Sequence, residues 1–212
     1  MESNERKHET RPVARQTAIE KIEKLHPYQL ILYLSLLGSG IIFFFLLIAH
    51  FATRPQDISA DNFILPKQFI FSTIIILASS FVLSHTQRLF QEEKMKALRN
   101  NIGLGIVLGL AFAISQYVGW LSMVDKGILF EGRTGGVYMY ILSGLHFIHM
   151  LGGIIFMLIT FVEMNKISRD PIKSLVATTN PYQKLKIQLL VAYWHYLDFT
   201  WVVVFFYFLF SY

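Results

Sequence analysis

Five stretches of this sequence are apolar enough and long enough to cross a bilayer, and no other feature restricts the fold as strongly. They run from about Leu30 to Phe51, Gln68 to Ser84, Ile102 to Met123, Val137 to Val162 and Gln188 to Phe210; a spanning helix needs roughly 20 apolar residues. An unpaired backbone amide in hydrocarbon costs several kcal/mol, so each stretch must be helical. The expected fold is therefore all-α: a polytopic membrane protein with a bundle of five transmembrane helices. A hydrophobic share of 54% and an aromatic share of 15% fit that class and not a soluble domain. The sequence has no cysteine, which excludes disulfides, iron–sulfur clusters and thiolate zinc sites.

The basic residues orient the spans. Six lie in the N-terminal arm, four between the second and third spans and five between the fourth and fifth, out of 19 in all. The two intervening loops hold only Arg54, Lys67, Lys126 and Arg133. This positive-inside bias places the N-terminus in the cytoplasm and the C-terminus in the periplasm or its equivalent. It also accounts for the net charge of +5 without nucleic acid, because the cations are confined to the arm and to short connections. The chain divides into a charged arm, 1–27, and a transmembrane domain, 28–212. The arm is not a cleavable signal peptide, since a long polar segment precedes the first apolar core. Its second half, around Ala18 to Leu25, reads either as an interfacial helix or as a solvated tail.

Small residues recur where helices should meet. GLGIVLG opens the third span, and Gly105 and Gly109 form a small-xxx-small pair that lets two helix backbones approach. With no strand before it, the same stretch is not a phosphate-cradling loop. Ser35 with Ser39, Ser79 with Ser80, and Gly144 with Gly152 and Gly153 suggest the same packing role.

Four polar residues sit deep in the apolar spans: His146, His149, His195 and Asp198. An aspartate in mid-span costs about 2.5–3.5 kcal/mol on insertion scales, so Asp198 should be paired or protonated. His195 is three residues earlier, on the same helical face. His146 and His149 likewise share a face of the fourth span. Three readings follow. The histidines ligate haem, Asp198 carries protons, or all four form a polar clasp that fixes the last two helices against each other. On the clasp reading, His149 is expected within reach of His195 or Asp198, directly or through one water. Trp194 and Trp201, seven residues apart on one face, read as packing residues or lipid-contacting anchors.

These residues carry a resemblance. YWHYLDFTWVVVFFYF, with Trp194, His195, Asp198 and Trp201, closely resembles the last-helix signature of subunit III of haem–copper oxidases. SGLHFIHMLGG, with Gly144, His146 and His149, resembles the same family's Gly-x-His-x-x-His stretch. Weaker echoes are STIIILASS, Ser72 to Ser80, and Gln116 in AFAISQYVGW. The resemblance spans about Tyr28 to Tyr212 and is specific in the last two helices. Five spans match the family's short form, which lacks the two leading helices that build a lipid-holding cleft.

The resemblance implies a non-catalytic subunit of a proton-pumping terminal oxidase in the cell's inner membrane. Such a subunit flanks the catalytic subunit I beside subunit II, stabilises it and supports proton uptake. Haem and copper would lie on those partners, with no cofactor, metal or catalytic residue on this chain; phospholipid is a possible ligand and another respiratory complex a possible neighbour. The sequence departs from the family where Leu36 and Gly119 stand in place of carboxylates, which favours structural support over proton handling. A free-standing haem b cytochrome and a small transporter are the alternatives. The latter should show inverted repeats and broken helices, whereas no span has an internal proline.

Overall fold

The structure is a computed structural model that describes residues 26–53, 67–128, 130 and 134–211. The N-terminal arm, for which helix and tail were both expected, lies outside the described residues. Among the described residues seven helices follow in order: α1 Pro27–Thr53, α2 Lys67–Ser84, α3 Thr86–Gln91, α4 Met95–Asp125, α5 Thr134–Ile167, α6 Pro171–Thr179 and α7 Pro181–Ser211. Among the described residues there is no strand. α1, α2 continued by α3, α4, α5 and α7 supply five helices long and apolar enough to cross a membrane. The chain is a multi-pass membrane protein.

The helices overrun the apolar spans, most of all at one end. α4 starts at Met95 and not near Ile102, and α7 starts at Pro181 and not near Gln188. Apolar count marks only the part of a helix in oil; the Lys- and Arg-bearing turns beyond it remain hydrogen-bonded as they enter the interface. The basic loop after α5 also contains a helix, α6. Asp170 caps it, accepting from the amides of Ile172 and Lys173 at 3.0 and 3.4 Å. Pro27, Pro171 and Pro181 each open a helix, where a missing amide costs nothing.

α7 is the hub. It packs on α1, α2, α3, α5 and α6, while α4 lies against α2 and α5. Half of the most apolar window of α7 is buried, against 11% in α1, which lies at the edge of the bundle. Leu34, Leu37, Phe44, Phe45 and Phe51 of α1 are exposed, as suits a lipid-facing helix. The interior holds Phe69, Ile76, Leu83, Phe112, Met139, Leu142, Trp194 and Trp201. Lipid tails are as apolar as these side chains, so close packing and interhelical hydrogen bonds hold the bundle together.

The glycines work differently from the expectation. A β-carbon on Gly105 would stand 3.1 Å from Leu83 of α2, and one on Gly109 would stand 2.9 Å from the Trp194 ring of α7. The pair therefore admits two large side chains and does not seat one helix backbone against another. Gly153 likewise receives Tyr193, Trp194 and Leu197 at 3.0–3.2 Å. Gly152 makes ordinary contact with the Tyr193 hydroxyl at 3.5 Å, and Gly144 has nothing within 4 Å. Gly144 is thus not a packing point within this chain.

Candidate functional site

The polar groups of the membrane interior gather along α7, because its inward face carries residues at helical spacing: Val191, Trp194, Leu197, Asp198 and Trp201 are all buried. Each indole finds a hydroxyl on α2. Trp194 Nε1 donates to Ser79 Oγ at 2.8 Å, and Trp201 Nε1 donates to Thr73 Oγ1 at 3.0 Å. The spacing of seven on α7 thus matches a spacing of six on the antiparallel α2. Both tryptophans are buried, so they pack the core and do not anchor the chain to lipid.

His195 and Asp198 lie one turn apart, with Nδ1 and Oδ2 separated by 3.6 Å. That is too long for a hydrogen bond. His195 Nδ1 instead meets Ser80 Oγ of α2 at 2.8 Å. Asp198 has a side chain only 5% exposed, and neither of its oxygens has a hydrogen-bond partner. The His195 side chain is 36% exposed, so this pair reaches the outside of the bundle through its histidine.

The other two histidines go elsewhere. His149 Nδ1 donates to the Leu145 carbonyl at 2.8 Å, and its Nε2 meets Ser39 Oγ of α1 at 3.0 Å. Both ring nitrogens are therefore occupied, and an imidazole has no third. No direct hydrogen bond joins His149 to His195 or Asp198 among the described residues; His149 ties α5 to α1. His146 is fully buried, and neither of its ring nitrogens has a partner. Its ring centroid stands 5.2 Å from that of Trp201 and 5.7 Å from that of Phe112. The four residues therefore do not close into one clasp. What joins α5 to α7 here is Tyr193, whose hydroxyl donates to the His149 carbonyl at 2.7 Å. At the basic end, Glu163 of α5 accepts from Lys186 and Gln183 of α7.

Several members of this network lack a conspicuous sequence signal. His50, buried near the end of α1, meets Tyr207 Oη of α7 through Nδ1 at 2.7 Å. Gln116 Nε2 donates to Ser72 Oγ at 3.0 Å, and Trp120 Nε1 donates to Ser143 Oγ at 2.9 Å. A lone histidine closing an apolar span is a readable hint for His50, and Gln116 and Ser72 stand out only as the weaker echoes of the family.

No three histidine, aspartate or glutamate side chains among the described residues are grouped to hold a metal ion. Haem ligation needs histidines on separate helices facing one gap. Here His149 is committed to hydroxyl and carbonyl partners, and aromatic rings lie directly against His146.

Comparison with known proteins gives a consistent result. Residues 55–212 match the family described as cytochrome c oxidase subunit III. Similar chains include cytochrome c oxidase subunit 3 of Corynebacterium diphtheriae, 23% identical over 133 residues, which cover 63% of this chain and 60% of that protein. The Plasmodium vivax protein of that name is 26% identical over 167 residues, 76% of this chain and 62% of the other. The Schizophyllum commune protein is 25% identical over 149 residues, 70% and 49% respectively. The chain thus spans less than two thirds of the length of these relatives.

Proposed function

The chain belongs to the cytochrome c oxidase subunit III family, and on that premise we propose that it is a non-catalytic integral subunit of a respiratory haem–copper oxidase. It flanks the catalytic subunit I and subunit II, which carry the haem and copper, and it stabilises them during oxygen reduction. The observation that carries this reading is the engagement of the interior polar groups. The indoles of Trp194 and Trp201 and the rings of His149 and His195 are each satisfied by a hydroxyl on a neighbouring helix. Such bonds hold helices in register, while His146 and Asp198 have no hydrogen-bond partner among the described residues. Support for proton uptake in the partner follows from that rigidity, since Leu36 and Gly119 stand where carboxylates would act directly. The bias of lysine and arginine supports a cytoplasmic N-terminus in a cell's inner membrane.

Purification of the complex from native membrane through a tag on this chain tests the reading. A haem-bearing larger subunit should co-purify, and the Soret band should leave with it when the subunits are separated. A Soret band that stays with the isolated chain would instead establish a haem b cytochrome.

A further inference from the structure

At the basic end of the bundle, the α3–α4 connection and the start of α4 face the α5–α6 connection across a groove of about 750 Å³. Four cations line it, Lys94, Lys96, Arg99 and Arg169, against a single lining acid, Glu93. Lys94 is partly neutralised by Glu92 at 2.8 Å, and Arg99 is held in place by Asn100 and Asn165. Lys96 and Arg169 have no hydrogen-bond or ion-pair partner among the described residues. A concave surface with this much uncompensated positive charge attracts an anion.

The neighbouring α6 indicates which anion. Ile172, Leu175 and Val176, at i, i+3 and i+4, are 76%, 62% and 60% exposed. An apolar stripe on a short helix between two membrane-spanning helices belongs in the interfacial layer, where its neighbours are acyl chains. Basic pockets between transmembrane helices on the basic side are suited to acidic lipid headgroups. We propose that this groove holds the phosphodiester of an anionic phospholipid. Lys96 and Arg169 contact the phosphate, and the acyl chains run along Ile172, Leu175 and Val176. The site is formed by this chain's own residues in a membrane setting, whether or not the chain serves an oxidase.

The test is native mass spectrometry of the full chain in neutral detergent, with dioleoylphosphatidylglycerol and dioleoylphosphatidylcholine as probes. Phosphatidylglycerol should be retained in preference to phosphatidylcholine. K96Q/R169Q should retain it about thirtyfold less well, given the worth of two cations near a surface. K96R/R169K, which keeps both charges, should behave as the parent, as should K126Q outside the groove. Inorganic phosphate at millimolar concentration should not displace the lipid. Equal retention of the two lipids, or unchanged retention in K96Q/R169Q, would overturn the proposal. So would the same loss in K96R/R169K, which would assign the effect to folding, or displacement by phosphate, which would assign the groove to a free anion.

Discussion

The Trp194 indole occupies the space beside Gly109: its Cη2 stands 2.9 Å from where a β-carbon on that glycine would lie. The adjoining ring atom, Cζ3, lies 3.1 Å from the β-carbon position of Gly153. One side chain of α7 is thus seated between two glycines, on α4 and on α5.

Gly109→Ala should therefore destabilise the chain. The added methyl meets a ring also fixed by its bond to Ser79, and overpacking of this kind costs about 1–3 kcal/mol. Gly144→Ala is the control, since nothing lies within 4 Å of its β-carbon position. It should leave the detergent melting temperature unchanged or raise it slightly, as alanine favours helix. Equal melting shifts for the two would show that the ring is not confined by Gly109.

The bond from Trp201 to Thr73 Oγ1 can be measured by a double-mutant cycle with Trp201→Phe and Thr73→Val. Interhelical hydrogen bonds in membranes average about 0.6 kcal/mol, so the coupling should be of that size. The larger loss should come from Trp201→Phe alone, because the ring also packs on Phe69, Phe112 and His146. Zero coupling in equilibrium unfolding would remove the bond from the list of forces holding α7 to α2.

Much of this architecture was readable because membranes impose strict terms. Five helices followed from apolar run length, and Asp198 and His195 stood out because their polarity is costly in oil. The partners of those groups were not readable for the opposite reason. Ser39, Ser79, Ser80 and Thr73 cost little in hydrocarbon, since a hydroxyl can bond its own helix, as Thr73 does with the Phe69 carbonyl at 2.7 Å. They resemble packing residues until the fold brings a ring nitrogen to them. Gly109 was recognised as a place for close approach, but no spacing rule says whether a backbone or a tryptophan will arrive there. The direct partner of His149, Ser39, was not readable because depth in the membrane does not reveal which side of a helix pair is closed off by a third helix.

Outside the apolar region, Glu92 gives a pH dependence of definite sign. The Lys94 ammonium, followed by the Arg88 guanidinium, holds its carboxyl down to about 2 from an ordinary 4.5. Because the folded-state value is depressed, its contribution is fully present above about 4.5 and is lost as pH falls towards about 2. Melting temperature followed across that window should fall less steeply in Glu92→Gln than in the parent. Parallel curves would mean that the carboxylate is not held by its two cations in solution. The site is solvent-exposed, so added salt should shrink the difference.

Asp198 is the most costly residue of the interior. Its oxygens have no donor partner among the described residues, and the His195 Nδ1, 3.6 Å away, already meets Ser80. Asp198→Asn keeps the shape, lessens the cost of polarity in mid-span and removes no hydrogen bond among the described residues, so it should not lower the stability of the isolated chain. Ser80→Ala does remove one, leaving His195 Nδ1 unmatched, and should cost about 0.6 kcal/mol or more. The order of the two, Ser80→Ala worse than Asp198→Asn in a detergent melt, is the informative quantity. The reverse order would mean that the carboxylate itself fixes the histidine, and that the contact between α2 and α7 at this depth runs through Asp198 and not through the serine.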